Sequence, residues 1–244
     1  DALLISWNSF YKYFDVVKDF KKRGKVVAIF EYADDDDVIF NSKKNIFREI
    51  PEKYFDLYFK QDLPLNNKHP KAYPIAPVPA KDFLKPYKKI KTKYNFSFFG
   101  KIQKRTSDDR KLIIRLIEKN FNNFFFRTRK DYSSHVLSRV QMEKILRETK
   151  INLTPSGISW NSFRHADLAR YNRPIVISSP AIKLSGKTFK DSVDCIMYPR
   201  VKNKKGDQFI IKNPKKLVKR LKNLLNDEKK LFRLTKNYVK MVKK

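Results

Sequence analysis

Strand-like and helix-like stretches alternate along this chain of 244 residues, and the alternation predicts an α/β fold. Two lobes with mainly parallel sheets are expected, at residues 1–94 and 95–244, the second ending in a pair of closing helices. Three observations support this. Short apolar runs, as at 26–32 and 175–177, suit strands buried within a sheet. Longer segments between them repeat apolar residues at helical spacing. A Lys-rich, weakly patterned stretch at 85–93 precedes the strand that opens the second lobe.

In chain order, residues 2–5 read as a strand, 9–23 as a helix, 26–32 as a strand, and a short strand falls near 56–59. YPIAPVP at 73–79 continues the α/β pattern. The second lobe begins with NFSFFGKI at 95–102, a hydrophobic strand ending in Gly100 and Lys101. Gly100 lets the backbone approach a ligand closely, and Lys101, Lys104 and Arg105 can meet phosphates. Within 108–121, Leu112, Ile113, Leu116 and Ile117 form the apolar stripe of a helix. Residues 124–126 make the next strand, closed by Arg127 and Arg129, and 136–148 make another helix. Residues 183–199 end in the strand-like SVDCIMYP. NPKKLVKRLKNLL at 213–225 and DEKKLFRLTKNYVK at 227–240 read as paired helices, and no internal repeat is visible.

Residues 151–178, INLTPSGISWNSFRHADLARYNRPIVIS, carry most of the functional signal. Ile151–Leu153 is an apolar run suited to a buried strand, which Pro155 and Gly157 break. Ser159 or Asn161 can cap a helix in which Phe163, Ala166, Leu168 and Tyr171 recur at near-helical spacing, and Pro174 restarts the chain as a strand. The product is a βαβ unit whose turn lies at the carboxyl end of its first strand, where open parallel sheets bind ligands. Ser156, the Gly157 backbone, the helix-start N–H groups and Arg164 all offer donors to an anion there.

On these residues the stretch resembles the nucleotide-sugar-binding half of glycosyltransferases with two Rossmann-like domains, the GT-B architecture, and within it the exostosin-like and related bacterial and viral branch. Pro155, Ser156, Gly157, Ser162, Arg164 and Pro174 match that family's pattern. Asp167 stands where the family has Glu, and Asn172 stands where it has a helix-ending Gly. The resemblance covers residues 95–244. It implies transfer of a sugar from a nucleotide-diphosphate donor to a hydroxyl of a glycan, lipid-linked or protein acceptor. In such enzymes Arg, Lys and helix-start amides stabilise the leaving diphosphate without an obligatory metal. Arg164 is the first candidate, with Gly100, Lys101, Arg105, Arg127, Ser156, Gly157 and Asp167 around donor and phosphates. No cofactor and no metal are expected, the nucleotide sugar being a substrate. The family's acceptor domain is longer than the stretch before residue 95, so a small or truncated N-terminal lobe is expected in a chain that opens at Asp1 without Met.

The acidic run at 34–37 stands out because acids are scarce. It suits a Mg²⁺ or Mn²⁺ site of D-x-D type, a polar turn at a helix start, or a general base for the acceptor hydroxyl. Its position in the opposite half from the donor motif argues against the metal. Asp34 and Asp36 are the candidates for the base, with Glu31 a further one.

The formal charge of +31 predicts a positive field that draws nucleic acid, anionic membrane or acidic glycans. A Lys, Asn, Ile and Phe mixture of this kind also arises from an AT-rich genome without any function. The last 44 residues carry 16 Lys and Arg against 3 acids, a basic face suited to an anionic membrane surface. Most Phe and Tyr fall in strands and apolar helix faces, which favours core over base stacking. A second class nevertheless stays open: a basic nucleic-acid-binding protein, or an inactive transferase-like binding module. No apolar run approaches the roughly 20 residues of a membrane span, and no signal-peptide pattern opens the chain. Cys195, placed within an apolar strand, is the single cysteine and cannot form an internal disulfide. With His69, His135 and His165 scattered, a structural zinc site is not expected. A cytoplasmic protein, peripheral at a membrane surface through its basic helices, is the resulting expectation.

Overall fold

The computed structural model describes residues 1–32, 50–61, 63, 65, 67–75, 91–102, 107–129, 137–156, 164–180, 189–202 and 209–242, apart from the side chains of 101, 107, 108, 129, 202 and 209. The chain divides into two compact units. The described part of the first lies within Asp1–Pro77, with Pro180 besides, and that of the second within Val78–Gly157, Ser162–Ser179 and Phe189–Lys244.

The first unit holds four parallel strands in sequential order: β1 (Ala2–Ser6), β2 (Val26–Glu31), β3 (Leu57–Lys60) and β4 (Ala72–Pro74). Helix α1 (Phe14–Lys22) connects β1 to β2. It starts five residues later than its pattern suggests, after two short 3-10 turns at Trp7–Ser9 and Tyr11–Tyr13. The Ser6 hydroxyl bonds the side chains of Asn8 and Ser9 around the first of these turns. Phe10, Val17, Val27, Ile29, Phe55 and Tyr58 form the core of this unit, all fully buried. At the carboxyl ends of β2 and β3, Glu31 faces Lys60 in register. Lys60 Nζ lies 2.7 Å from Glu31 Oε1, and the Tyr58 hydroxyl donates to Glu31 Oε2 at 2.7 Å.

The second unit holds five parallel strands: β5 (Tyr94–Lys101), β6 (Phe124–Arg129), β7 (Thr149–Leu153), β8 (Ile175–Ser178) and β9 (Ile196–Tyr198). Their spatial order is β6-β5-β7-β8-β9. Counted within the unit this is 2-1-3-4-5, a doubly wound order whose direction reverses between β5 and β7. Strand β8, IVIS, is buried along its whole length, as a strand covered on both faces must be. Cys195 is buried just before β9, in an isolated parallel bridge with Asp191, rather than inside the strand.

Helix α2 (Ser107–Asn120) follows β5, and its Ile113, Ile114 and Ile117 pack with Phe96, Phe98, Ile151 and Leu153 on one face of the sheet. Helix α3 (Arg139–Arg147) contacts β5 and β7. Ser138 and Gln141 form a capping box at its start. The next residues along the strands, Ser97 and Asn152, are polar. The Ser97 hydroxyl donates to Asn152 Oδ1 at 2.6 Å, and the Asn152 amide donates to the Leu146 carbonyl of α3 at 3.3 Å. This buried pair ties α3 to the sheet in one register.

The described part of helix α4 (Arg164–Asp167) is one turn, continued by a 3-10 turn at Leu168–Tyr171. Asn172 ends it at φ 53° and ψ 49°, the left-handed geometry for which glycine is the usual choice. An antiparallel pair, β10 (Arg200–Lys202) and β11 (Phe209–Ile211), precedes the two closing helices and has no clear trace in the residue pattern. These helices, α5 (Pro214–Leu225) and α6 (Glu228–Val242), bury Leu217, Leu221, Leu224 and Leu225, and Leu234 and Tyr238. No helix among the described residues is long and apolar enough to cross a membrane.

Candidate functional site

The chain reverses its strand order between β5 and β7, so a crevice is expected outside their carboxyl ends. Arg164 reaches this place. Its Nη1 donates to the Phe99 carbonyl of β5, and its guanidinium lies 5.7 Å from the centre of the Phe98 ring. A Cβ on Gly100 would stand 2.8 Å from Phe98 Cζ and 2.9 Å from Arg164 Nη1. Gly100 is therefore the space in which the Arg164 guanidinium lies, a use of glycine different from ligand approach. Burial, and next the positive charge of Arg110, push the Arg164 guanidinium down to about 10, while Asp167 opposes the shift.

Arg110, in the first turn of α2, converges on the same ring. Its guanidinium is 5.9 Å from the Phe98 centroid, and its Nε donates to the Ser156 carbonyl at 3.2 Å. Burial lowers its pKa, and the neighbouring Asp109 carboxylate resists. Asp109 itself is buried and accepts from the Ser156 N–H at 2.8 Å and from the Tyr198 hydroxyl at 2.8 Å. Arg200 lies 3.6 Å from the same carboxylate. Burial, then the Asp109 charge, drives the Tyr198 phenol well above its usual range, so it stays a donor. The Ser156 hydroxyl pairs with that of Ser178 at 2.6 Å. Both the N–H and the hydroxyl of Ser156 are thus engaged inside the protein, which makes it a fastening point for the turn.

Beside Arg164 opens a cavity of about 410 Å³. Ser97, Phe98 and Phe99 of β5, Met142 and Leu146 of α3, and Tyr171 supply its walls, and Arg139, Arg164, Arg170 and Asp167 its charges. Arg139 pairs with Glu143 at 3.1 Å and Arg170 with Asp167 at 3.7 Å. A cavity with aromatic walls and several fixed charges suits a ligand having one flat ring and one anionic group. His165 is 3% exposed and faces inward. Its Nδ1 lies 2.9 Å from the Thr154 hydroxyl, its carbonyl accepts from Tyr238, and its ring meets Phe189 edge-on. These contacts moor α4 to the end of β7 and to α6.

The structure brings Gly100, Arg164, Ser156 and Asp167 into one neighbourhood. Arg127 is exposed on β6, in register with Phe99. Lys101 closes β5, but its side chain, like Arg105, Gly157, Asp34 and Asp36, lies outside the described residues. Glu31 is fully buried against Lys60 and Tyr58. Asp109 and Arg110 escaped the reading of the sequence, where SDDRKL passes as the polar start of an amphipathic helix. Only the fold shows that this start abuts the end of β7. Among the described residues no three His, Cys, Asp or Glu side chains cluster as a metal site would require.

No family model matches this sequence, and no curated protein matches it at a significant level. Among solved structures it is similar to TarM, at 9% identity and a TM-score of 0.57 over 99% of this chain and 51% of that one. It is similar to a chain of the GtfA/B complex at 12% identity and a TM-score of 0.52, covering 93% and 50%. Sucrose-phosphate synthase from Thermosynechococcus elongatus follows at 10% identity and a TM-score of 0.53, covering 99% and 68%. These are structures of the GT-B fold. The likeness is one of fold. It agrees with the α/β architecture that the 151–178 motif implies, and it does not single out the exostosin-like branch. The chain spans about half the length of the TarM and GtfA/B chains.

Proposed function

We propose that this chain acts in glycosyl transfer, its second unit holding a nucleotide-diphosphate sugar at the ends of β5 and β7 for attack by an acceptor hydroxyl. One observation carries the reading: Arg164 is fixed at the strand-order reversal by Phe98, Phe99 and Gly100, beside a cavity with aromatic walls. The GT-B fold of the chain supports the same class of chemistry.

In the reaction the bond between the sugar's anomeric carbon and the diphosphate breaks, and a bond to the acceptor oxygen forms. Negative charge grows on the departing diphosphate, and the acceptor hydroxyl loses its proton. A preorganised guanidinium in a partly water-excluded site stabilises the growing charge, commonly a large part of catalysis. Arg164 takes that role. The cavity between β5, α3 and the turn at Leu168–Tyr171 takes the flat base, and Asp167 at its rim takes a hydroxyl of the ribose or sugar. The proton-accepting base is assigned to the 34–37 run, with Asp34 and Asp36 as its candidates. The acceptor is a glycan or a lipid-linked glycan, and the basic closing helices favour work at an anionic surface. No divalent metal is assigned a part.

A thermal-shift screen with UDP, GDP and their sugars, set against single-stranded RNA at two salt concentrations, tests the reading. A rise in melting temperature with one nucleoside diphosphate, little affected by moderate salt or by EDTA, is expected. Stabilisation by RNA alone, falling steeply with salt, would replace it with the nucleic-acid-binding reading. Turnover lost in EDTA and restored by Mn²⁺ would overturn the metal-free mechanism.

A further inference from the structure

Two consecutive residues at the start of α2 grip both backbone polar groups of one residue at the end of β7. Asp109 Oδ2 accepts the Ser156 N–H at 2.8 Å, and Arg110 Nε donates to the Ser156 carbonyl at 3.2 Å. Such a double hold leaves the peptide units on either side of Ser156 little rotational freedom. Asp109 is 4% exposed, and its second oxygen is taken by the Tyr198 hydroxyl of β9 at 2.8 Å. Three strand ends are thereby tied together, since the Ser156 hydroxyl also meets Ser178 at the end of β8.

The grip has a second effect. With its Nε on the Ser156 carbonyl, the Arg110 guanidinium is carried onto the Phe98 ring, which the Arg164 guanidinium also approaches. Two like charges gathered at one aromatic ring repel each other, and burial adds to the cost. A dianion placed between them would relieve both, and guanidinium pairs match phosphate oxygens in shape as well as charge.

We infer that Arg110 is a second anion-binding guanidinium of this site, paired with Arg164 for a diphosphate, and that Asp109 is the positioning residue that sets it there through Ser156. The diphosphate identity rests on the glycosyl-transfer reading above. The pairing of the two arginines rests on geometry alone.

Isothermal titration with pyrophosphate, UDP, GDP and the nucleosides uridine and guanosine separates the two. Arg110→Gln should weaken diphosphate binding by about tenfold or more, the usual worth of a charge-assisted hydrogen bond. It should leave nucleoside binding and the melting temperature nearly unchanged. Asp109→Ala should weaken diphosphate binding similarly although it removes a negative charge, and Asp109→Asn, whose amide oxygen can still accept the Ser156 N–H, should restore most of it. Simple electrostatics gives the opposite sign for Asp109→Ala, namely tighter anion binding, and that outcome would refute the positioning role. Should Asp109→Ala fail to fold, the Arg110→Gln titration decides alone. Pyrophosphate binding that depends on Arg110, without binding of either nucleotide, would sustain the arginine pair and fell the nucleotide reading. Equal diphosphate affinity in wild type and Arg110→Gln, or no binding of pyrophosphate to the wild type, would overturn the inference itself.

Discussion

At the scale of single residues, Gly100 and Arg164 behave as one device. The glycine supplies a hole at the end of β5, and the guanidinium fills it while donating to Phe99. Phe98 is 1% exposed and cannot readily swing aside, so the movable neighbour of a new Cβ is Arg164. Gly100→Ala should therefore dislodge the guanidinium and cut diphosphate binding by about tenfold or more. Arg164→Ala should abolish that binding with only a small change in melting temperature, because the lost hydrogen bond is offset by relief of a buried charge. Measured together, the two changes should be strongly non-additive in binding; full additivity would show that they act separately. Arg164 also predicts a pH profile. Its proton leaves near pH 10 in the fold, below its unfolded value, so burial of the charge costs stability beneath that pH and the cost fades as pH rises past it. Anion binding runs the other way, present below about pH 10 and lost above.

At the scale of elements, the described turn of α4 is tied to what surrounds it. His165 bonds Thr154 on one side and Tyr238 on the other, and Asn172 closes the following turn in left-handed geometry. Asn172→Ala should cost about 1 kcal/mol, the penalty of a Cβ in that conformation, whereas Asn172→Gly should be nearly neutral. Urea unfolding of both variants provides the check, and equal stability of the two would show that the backbone angle there is unimportant.

At the scale of the whole molecule, charge is the dominant feature. The closing helices bury their leucines against the second unit and turn Lys215, Lys216, Lys219 and Lys222 of α5, and Lys229, Arg233, Lys236 and Lys240 of α6, to solvent. Asp227 and Glu228 are the only acids in this stretch, so the exposed face is a broad cationic surface. Because the leucines are mostly buried and Phe232 is the large apolar side chain left exposed on α6, attraction to a bilayer would be mainly electrostatic. Flotation should show binding to vesicles with anionic lipid and little to neutral ones. It should vanish at about 1 M salt, where charges are screened beyond roughly 3 Å. Equal partitioning to both vesicles at low salt would leave this charge without a membrane role.

The alternation of strands and helices, their order and the parallel character of the sheets were legible in the residue pattern, because burial on both faces imposes long apolar runs and helix packing imposes a 3.6-residue stripe. The place of Arg164 on a helix between two apolar strands was legible too. What the pattern could not contain was the meeting of α2 with the end of β7. Asp109 and Arg110 lie more than forty residues from Ser156 in the chain, and their local environment reads as an ordinary helix start. The late start of α1 escaped for a smaller reason, since the two 3-10 turns that precede it share the local spacing of a helix. Periodicity reports which side of an element faces the core. Which charged side chains converge at its end depends on the sheet order β6-β5-β7-β8-β9, and that order arises only when the chain closes on itself.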